Sequence, residues 1–281
     1  MFEFIDVIKS HEFMQNAVAI GLLASVACGV MGTYVVVRRI VFISGGISHT
    51  VLAGMGIAYY YGCNPMHGAV VCALIAALLI GYVSLQCQQH EDTIIGAFWA
   101  IGMAIGILFI YKTPGYNIDL MSYLFGNILM VERESVYLLV CLDVLIITVV
   151  YLFYKRFMAV CFDIEYSKLQ GVSVVGTYLL LLCLIALTVV ILIQVVGIIL
   201  VIAMLTLPAA TSRHFTRNLL QMMILASLLG AVFTILGLFV SYQADLPAGA
   251  TIIVISGLAY FLATASKGLA SQFKRYRFPY K

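Results

Sequence analysis

Two ionisable side chains lie deep inside apolar stretches of the sequence, and they are the positions best suited to bind an ion. His49 falls within the stretch 41–62, and Asp143 falls within the stretch 134–154. A neutral imidazole can ligate zinc, copper, iron or nickel, whereas a carboxylate suits harder cations such as manganese. An ionisable residue inside an apolar segment is a functional candidate by default. The simpler alternative, a packed side chain hydrogen-bonded to a neighbouring helix, remains open for both.

The residues just before His49 are small and polar, in the run Ser44–Gly45–Gly46–Ile47–Ser48. Such residues allow close helix contacts and a locally loosened backbone, as expected where backbone lines a cavity. We therefore predict that Ser48 lies beside the path that an ion would take past His49. Asp245 is predicted on the extracytoplasmic side of the membrane. It would either contact another protein or begin the last helix near the positive end of the helix dipole, and the helix-start interpretation is favoured.

The composition places these residues in a membrane protein. Of 281 residues, 64% are apolar and only 10% are charged, and the mean hydropathy is +1.11. Soluble domains average about 25% charged residues. These values exclude a disordered chain and a nucleic-acid-binding protein, and they argue strongly against a water-soluble enzyme. The seven cysteines form no CxxC pair, which argues against a disulfide framework or a zinc finger.

The apolar segments predict an all-α, polytopic transmembrane helical bundle, because a helix satisfies its own backbone hydrogen bonds in lipid. We predict about nine crossings, within a range of eight to ten. The tight turn at 194–197 leaves open one crossing followed by a half-helix, and 120–130 is predicted to be re-entrant or interfacial. The predicted crossings are 14–37, 41–62, 66–87, 94–111, 134–154, 174–193, 195–212, 219–241 and 247–266.

The distribution of Lys and Arg predicts the orientation of the bundle. Twelve of the 15 basic residues fall on one side of the nine-crossing arrangement. Because basic residues favour the cytoplasmic side, the N-terminus is predicted outside and the C-terminus in the cytoplasm. The whole chain, 1–281, is then one transmembrane domain with an interfacial lead-in at 1–12, a cytoplasmic loop at 155–173 and a basic tail at 267–281.

The cytoplasmic loop is predicted to contain a short amphipathic helix over 163–170. Acidic residues at its start and Lys168 near its end suit the helix dipole, and Gly171 is placed for a C-terminal cap. This helix would either dock on another protein or lie on the bilayer surface, and both alternatives remain open at this point. The chain has no GxxxxGK[ST] phosphate loop and no HExxH zinc motif, so neither that mode of ATP binding nor that enzyme class is predicted.

Five segments, in order along the chain, resemble the permease subunits of ATP-binding-cassette importers for transition metals. They are Ser44–Gly54, Ser122–Leu129, Phe162–Val174, Val196–Thr211 and Asp245–Thr251.

The resemblance implies a non-enzymatic translocation subunit in the prokaryotic cell membrane that carries zinc, manganese or iron and holds no permanent cofactor. It implies three kinds of partner: a second permease copy, two cytoplasmic ATPase subunits and an extracytoplasmic metal-binding delivery protein. Its ATPase-coupling helix would fall on Phe162–Val174, with the candidate coupling residues Phe162, Asp163, Glu165, Lys168 and Gly171.

One position departs from the family pattern. Members commonly have an aspartate four residues before the histidine that corresponds to His49, and here Gly45 occupies that position. Residues i and i+4 share a helix face, so the departure removes a hard oxygen ligand beside the imidazole. This argues against manganese and favours zinc or iron. The alternatives are a stand-alone ion-coupled carrier or channel, and a permease for chelated iron or cobalamin.

Overall fold

The structure is a computed structural model that describes residues 6, 8–86, 91–113, 126, 128, 131 and 133–277, and only the backbone at 86, 91, 92 and 268–277. All regular structure in this part of the chain is helical. The helices are α1 Glu12–Arg38, α2 Val41–Tyr60, α3 Pro65–Gln86, α4 Glu91–Lys112, α5 Arg133–Phe162, α6 Ile164–Leu169, α7 Val174–Val196, α8 Ile198–Arg213, α9 Leu219–Ala244 and α10 Ala248–Arg277.

The predicted fold class is confirmed. Among the described residues, eight helices are long and apolar enough to cross a membrane, and α8 is a shorter apolar helix. The segment predicted at 195–212 begins three residues later than predicted, and its short length agrees with the alternative of one crossing followed by a half-helix. Gly197, with φ of 83°, separates α7 from α8, so Val195 and Val196 still belong to α7. The 16 residues of α8 would extend about 24 Å, less than the hydrocarbon thickness of about 30 Å.

Helix α5 is longer than its sequence predicted. It contains 30 residues and ends at Phe162, whereas the predicted crossing ends at 154. The stretch 155–162 contains no proline or glycine, and Phe157 and Val160 within it are almost fully buried. Phe157 meets Tyr34 of α1 edge to face, with 5.6 Å between ring centroids. Packing against the bundle therefore extends the helix through much of the predicted cytoplasmic loop.

Helix α1 lies at the centre of the bundle, where it packs against α5, α8 and α9. Its glycines allow two of these contacts. A Cβ at Gly29 would overlap Ser227 of α9, and a Cβ at Gly32 would overlap the carbonyl oxygen of Leu205 in α8. Backbones that approach this closely need glycine, as is common between membrane helices.

Three predicted segments fall partly or wholly outside the described residues. In the re-entrant segment at 120–130 only 126 and 128 are described, and in the lead-in at 1–12 residues 1–5 and 7 are not. Helix α10 continues to Arg277, so the basic tail predicted at 267–281 begins as part of that helix.

The contact at Gly32 predicts a strong effect of one methyl group. We expect Gly32→Ala to lower the unfolding midpoint of the detergent-solubilised protein, because overpacking costs about 1–3 kcal/mol. Gly96→Ala is the matched control, since nothing lies within 4 Å of a Cβ there and alanine favours the helix. Circular dichroism melting measures both. Equal midpoints for the two variants would contradict this description of the α1–α8 contact.

Candidate functional site

The candidate site lies where α2 crosses α4, and glycines on both helices make that crossing close. A Cβ on Gly46 would lie 2.7 Å from Ile95 Cγ2, and a Cβ on Gly102 would lie 2.7 Å from Thr50 Cα. Thr50 also donates its hydroxyl to the Phe98 carbonyl of α4 at 3.2 Å. The glycines thus bring α4 against the face of α2 that carries the histidine.

His49 stacks on Trp99 across this crossing. The two ring centroids are 4.2 Å apart and the ring planes differ by 10°. Both side chains are half-buried, and neither ring nitrogen of His49 has a hydrogen-bond partner within the described part of the chain. An imidazole ligates a metal through its nitrogens at the ring edge, whereas the stack occupies a ring face. The contact therefore orients the ring and leaves it able to bind an ion.

Gly45 faces the same indole one turn before His49. A Cβ at this position would lie 3.6 Å from Trp99 Cζ3, which is an ordinary contact distance. A larger side chain at 45 would therefore lie beside His49 on the surface of Trp99. No donor group occupies that place, and among the described residues no cluster of three or more His, Cys, Asp or Glu side chains could hold a metal ion.

The predicted loosening of α2 before His49 is wrong. The helix is continuous from Val41 to Tyr60, and the serine hydroxyls bond to its own backbone. Ser44 donates to the Val41 carbonyl and Ser48 donates to the Ser44 carbonyl, each at 2.7 Å. Ser48 is fully buried. The small residues serve close packing against α4, and the role of Ser48 beside a pathway stays a prediction.

Asp143 is not brought together with His49. It is buried on α5, which packs against α1 and α7, and its carboxyl group lies near the Cys28 thiol of α1. Neither carboxyl oxygen has a hydrogen-bond partner in the described part of the chain. Asp143 therefore belongs to the α1–α5 contact, away from the α2–α4 crossing.

Asp245 ends α9 and does not begin α10, so the helix-start interpretation is wrong. Its φ of 51° places it in the left-handed region, and its backbone N–H donates to the Ser241 carbonyl as a C-terminal cap. In the same turn the Leu246 N–H donates to the Ser241 carbonyl, and Ser241 donates its side-chain hydroxyl to the Leu246 carbonyl. The Asp245 side chain is exposed and can still meet another protein.

The candidate coupling residues form a short helix, α6, that is fixed at both ends. At its start, Asp163 Oδ1 accepts the Tyr166 N–H at 2.9 Å. At its end, Gly171 has a φ of 70° and donates its N–H to the Lys168 carbonyl, while Val172 donates to the Ser167 carbonyl. This pattern is a Schellman cap. An exposed ion pair of 2.8 Å between Glu165 and Lys168 adds little stability.

Exposed apolar side chains lie at the end of α5 and on α6, where they alternate with the exposed Glu165 and Lys168. Phe162, Tyr166 and Leu169 have exposed fractions of 66%, 54% and 87%. Tyr166 and Leu169 are three residues apart and share one face of α6, whereas Phe162 ends α5 and is separated from α6 by the extended cap residue Asp163. Sequence reasoning did not name Tyr166 or Leu169 as coupling residues, although their spacing within the predicted helix could have indicated both. It also missed Trp99, because nothing in the sequence pairs α4 with His49.

Comparison with known proteins shows the family of this chain. The sequence profile described as "ABC 3 transport family" matches residues 10–267. The chain belongs to this family. It is 43% identical to a probable metal transport system membrane protein of Chlamydia trachomatis serovar D, over 87% of this chain and 85% of that protein.

The similarity extends to a relative with a named metal and to a solved structure. The chain is 34% identical to the manganese transport system membrane protein MntC of Halalkalibacterium halodurans, over 92% of this chain and 89% of the relative. It also resembles a chain in the structure of PsaBC from Streptococcus pneumoniae in complex with Fab, with a TM-score of 0.83 and 31% identity over 93% and 94% of the two chains. The chain is therefore a multi-span membrane permease of this family.

The stack predicts an optical signal for an ion at His49. Trp99 is the only tryptophan of the chain, so intrinsic tryptophan fluorescence reports on this place alone. We expect titration with Mn²⁺ or Co²⁺ to quench that fluorescence saturably in the natural protein and not in His49→Ala. His214→Ala is the control, because His214 contacts Thr264 and Tyr260 instead. Equal quenching in His49→Ala would remove His49 as a ligand.

Proposed function

We propose that this permease is the translocation subunit of an ATP-driven importer of divalent transition metal ions in a prokaryotic cell membrane. Family membership and the names of the metal-transport relatives support the cargo class. The observation that carries the proposal is the capped helix α6, which exposes Tyr166 and Leu169 on one face beyond the end of a membrane-spanning helix. Such a face is suited to dock on a partner protein.

The proposed assembly contains two permease copies, two cytoplasmic ATPases and an extracytoplasmic delivery protein. The sequence has no phosphate loop of its own, which supports a separate ATPase as the source of energy. Among the described spans, Thr93–Lys112 of α4 is the least buried. That helix carries Trp99, so a second copy seated on α4 would place the two candidate sites near one shared pathway.

Helix α6 would couple ATP hydrolysis to movement of the spans. Only Asp163 separates it from α5, and a short turn connects it to α7. Ser167 is fully buried on its inner side and donates its hydroxyl to the Asp163 carbonyl at 2.6 Å. Because α6 is rigid and is connected directly to α5 and α7, a movement of the ATPase against Phe162, Tyr166 or Leu169 would be transmitted to both spans. Alternating access of the pathway near His49 would follow.

Two arguments about the metal point in different directions. The relatives named for manganese transport support manganese as the cargo. The donor set argues for zinc or iron, because Gly45 leaves His49 without a carboxylate one turn away. In either case a weakly ligated site suits transport, since the ion must leave as well as bind.

The choice of metal is testable at position 45. We expect Gly45→Asp to shift the ratio of Mn²⁺ to Zn²⁺ uptake about tenfold towards Mn²⁺, because it adds a hard oxygen ligand beside His49. Competitive uptake into cells that lack their own importers measures this ratio. Gly45→Ala, which adds the Cβ without the carboxylate, should leave the ratio unchanged. A ratio that moves equally in both variants would show that packing, and not ligation, sets the preference.

The coupling role is testable through ATPase association. We expect Tyr166→Glu and Leu169→Glu to reduce co-purification of the ATPase subunit and metal uptake at least about tenfold, because a charge would be buried in an apolar contact. Tyr61→Glu is the control, since Tyr61 is a similarly exposed aromatic residue at the opposite end of the spans. Wild-type ATPase association in both α6 variants would exclude α6 as the docking element.

A further inference from the structure

A deep groove on the outside of the bundle belongs to neither the candidate site nor the coupling helix. It lies between α1, α5 and α9, is open along one side and has a volume of about 950 Å³. Most of its wall is apolar, including Val30 of α1, Ile147 of α5, and Ile224 and Leu228 of α9. A continuous apolar groove of this size between spanning helices can hold a hydrocarbon chain.

One end of the groove is basic. Lys155 and Arg156 of α5 lie there, and no Asp or Glu is among the residues that line the groove. Both side chains are exposed, and neither forms an ion pair within the part of the chain that the structure describes. Arg156 also lies over the Phe153 ring at 5.4 Å, a contact on the same helix that leaves the guanidinium without a carboxylate partner. A phosphate group would complement this charge.

The dimensions match one leaflet of a bilayer. From Ile147 to Arg156 the groove follows nine residues of α5, or about 13 Å. Half of the hydrocarbon core is about 15 Å. The basic end lies on the side predicted to be cytoplasmic, where the leaflet carries anionic lipids.

We propose that this groove binds an anionic phospholipid of the cytoplasmic leaflet, with its phosphate between Lys155 and Arg156 and an acyl chain between α5 and α9. A second permease copy is a poorer occupant. A two-fold contact through the groove would bring identical basic ends towards each other without acidic partners. The bound lipid would hold the cytoplasmic end of α5, the helix that leads directly into α6.

Native mass spectrometry of the full-length protein tests the headgroup. The protein would be incubated with equal amounts of phosphatidylglycerol and phosphatidylcholine of identical acyl chains. We expect about tenfold preferential retention of phosphatidylglycerol, and loss of that preference in Lys155→Gln/Arg156→Gln. Arg213→Gln/Lys267→Gln removes two cations outside the groove and should keep the preference. Equal retention of both lipids by the natural protein, or equal loss in both double variants, would overturn the proposal.

A second pair of variants tests the acyl chain. Ile224→Trp fills the groove from its exposed rim, and Ile235→Trp adds the same bulk elsewhere on the exposed surface of α9. We expect Ile224→Trp to lower retention of phosphatidylglycerol several-fold and Ile235→Trp to leave it unchanged. If Ile224→Trp instead dissociated the purified dimer while lipid retention persisted, a second copy would occupy the groove and the lipid proposal would be wrong.

Discussion

The close crossing of α2 and α4 is the contact on which the candidate site depends. Gly46, Gly56, Gly102 and Gly106 take part in it, and a Cβ at any of them would come within 3 Å of the other helix. Without a hydrophobic force between helices in lipid, such close packing is a main source of their association. It brings the indole of Trp99 over the imidazole of His49. These glycines, which in the sequence indicate only close helix packing, therefore position His49, the candidate ligand for an ion.

Much of the fold could be predicted from composition, because each membrane span must satisfy its backbone internally and be apolar over its length. The ends of the spans could not. Helix α5 runs to Phe162 because Phe157 and Val160 pack on the bundle, and that packing has no local signature. Helix α6, by contrast, was predictable from Asp163, Lys168 and Gly171, since caps are local interactions.

The candidate site was predictable only in part for the same reason. His49 is conspicuous as an ionisable residue in an apolar segment, and so is Asp143, yet the bundle places them in different helix contacts. Trp99 gives no sequence signal because its importance arises from a partner 50 positions away. The helix α6 can therefore be predicted from local capping residues, whereas the candidate site at His49 forms only when α2 and α4 pack together.

The central proposal is that this chain supplies the path for the metal ion while a separate ATPase supplies the energy. The most direct measurement is metal uptake into proteoliposomes that contain the permease with or without its ATPase subunits, with the delivery protein on the opposite side of the bilayer from the ATPase and ATP inside or outside. The account predicts concentrative uptake of a divalent transition metal only when the ATPase is present and ATP reaches its side. Uptake against a gradient by the permease alone would contradict it.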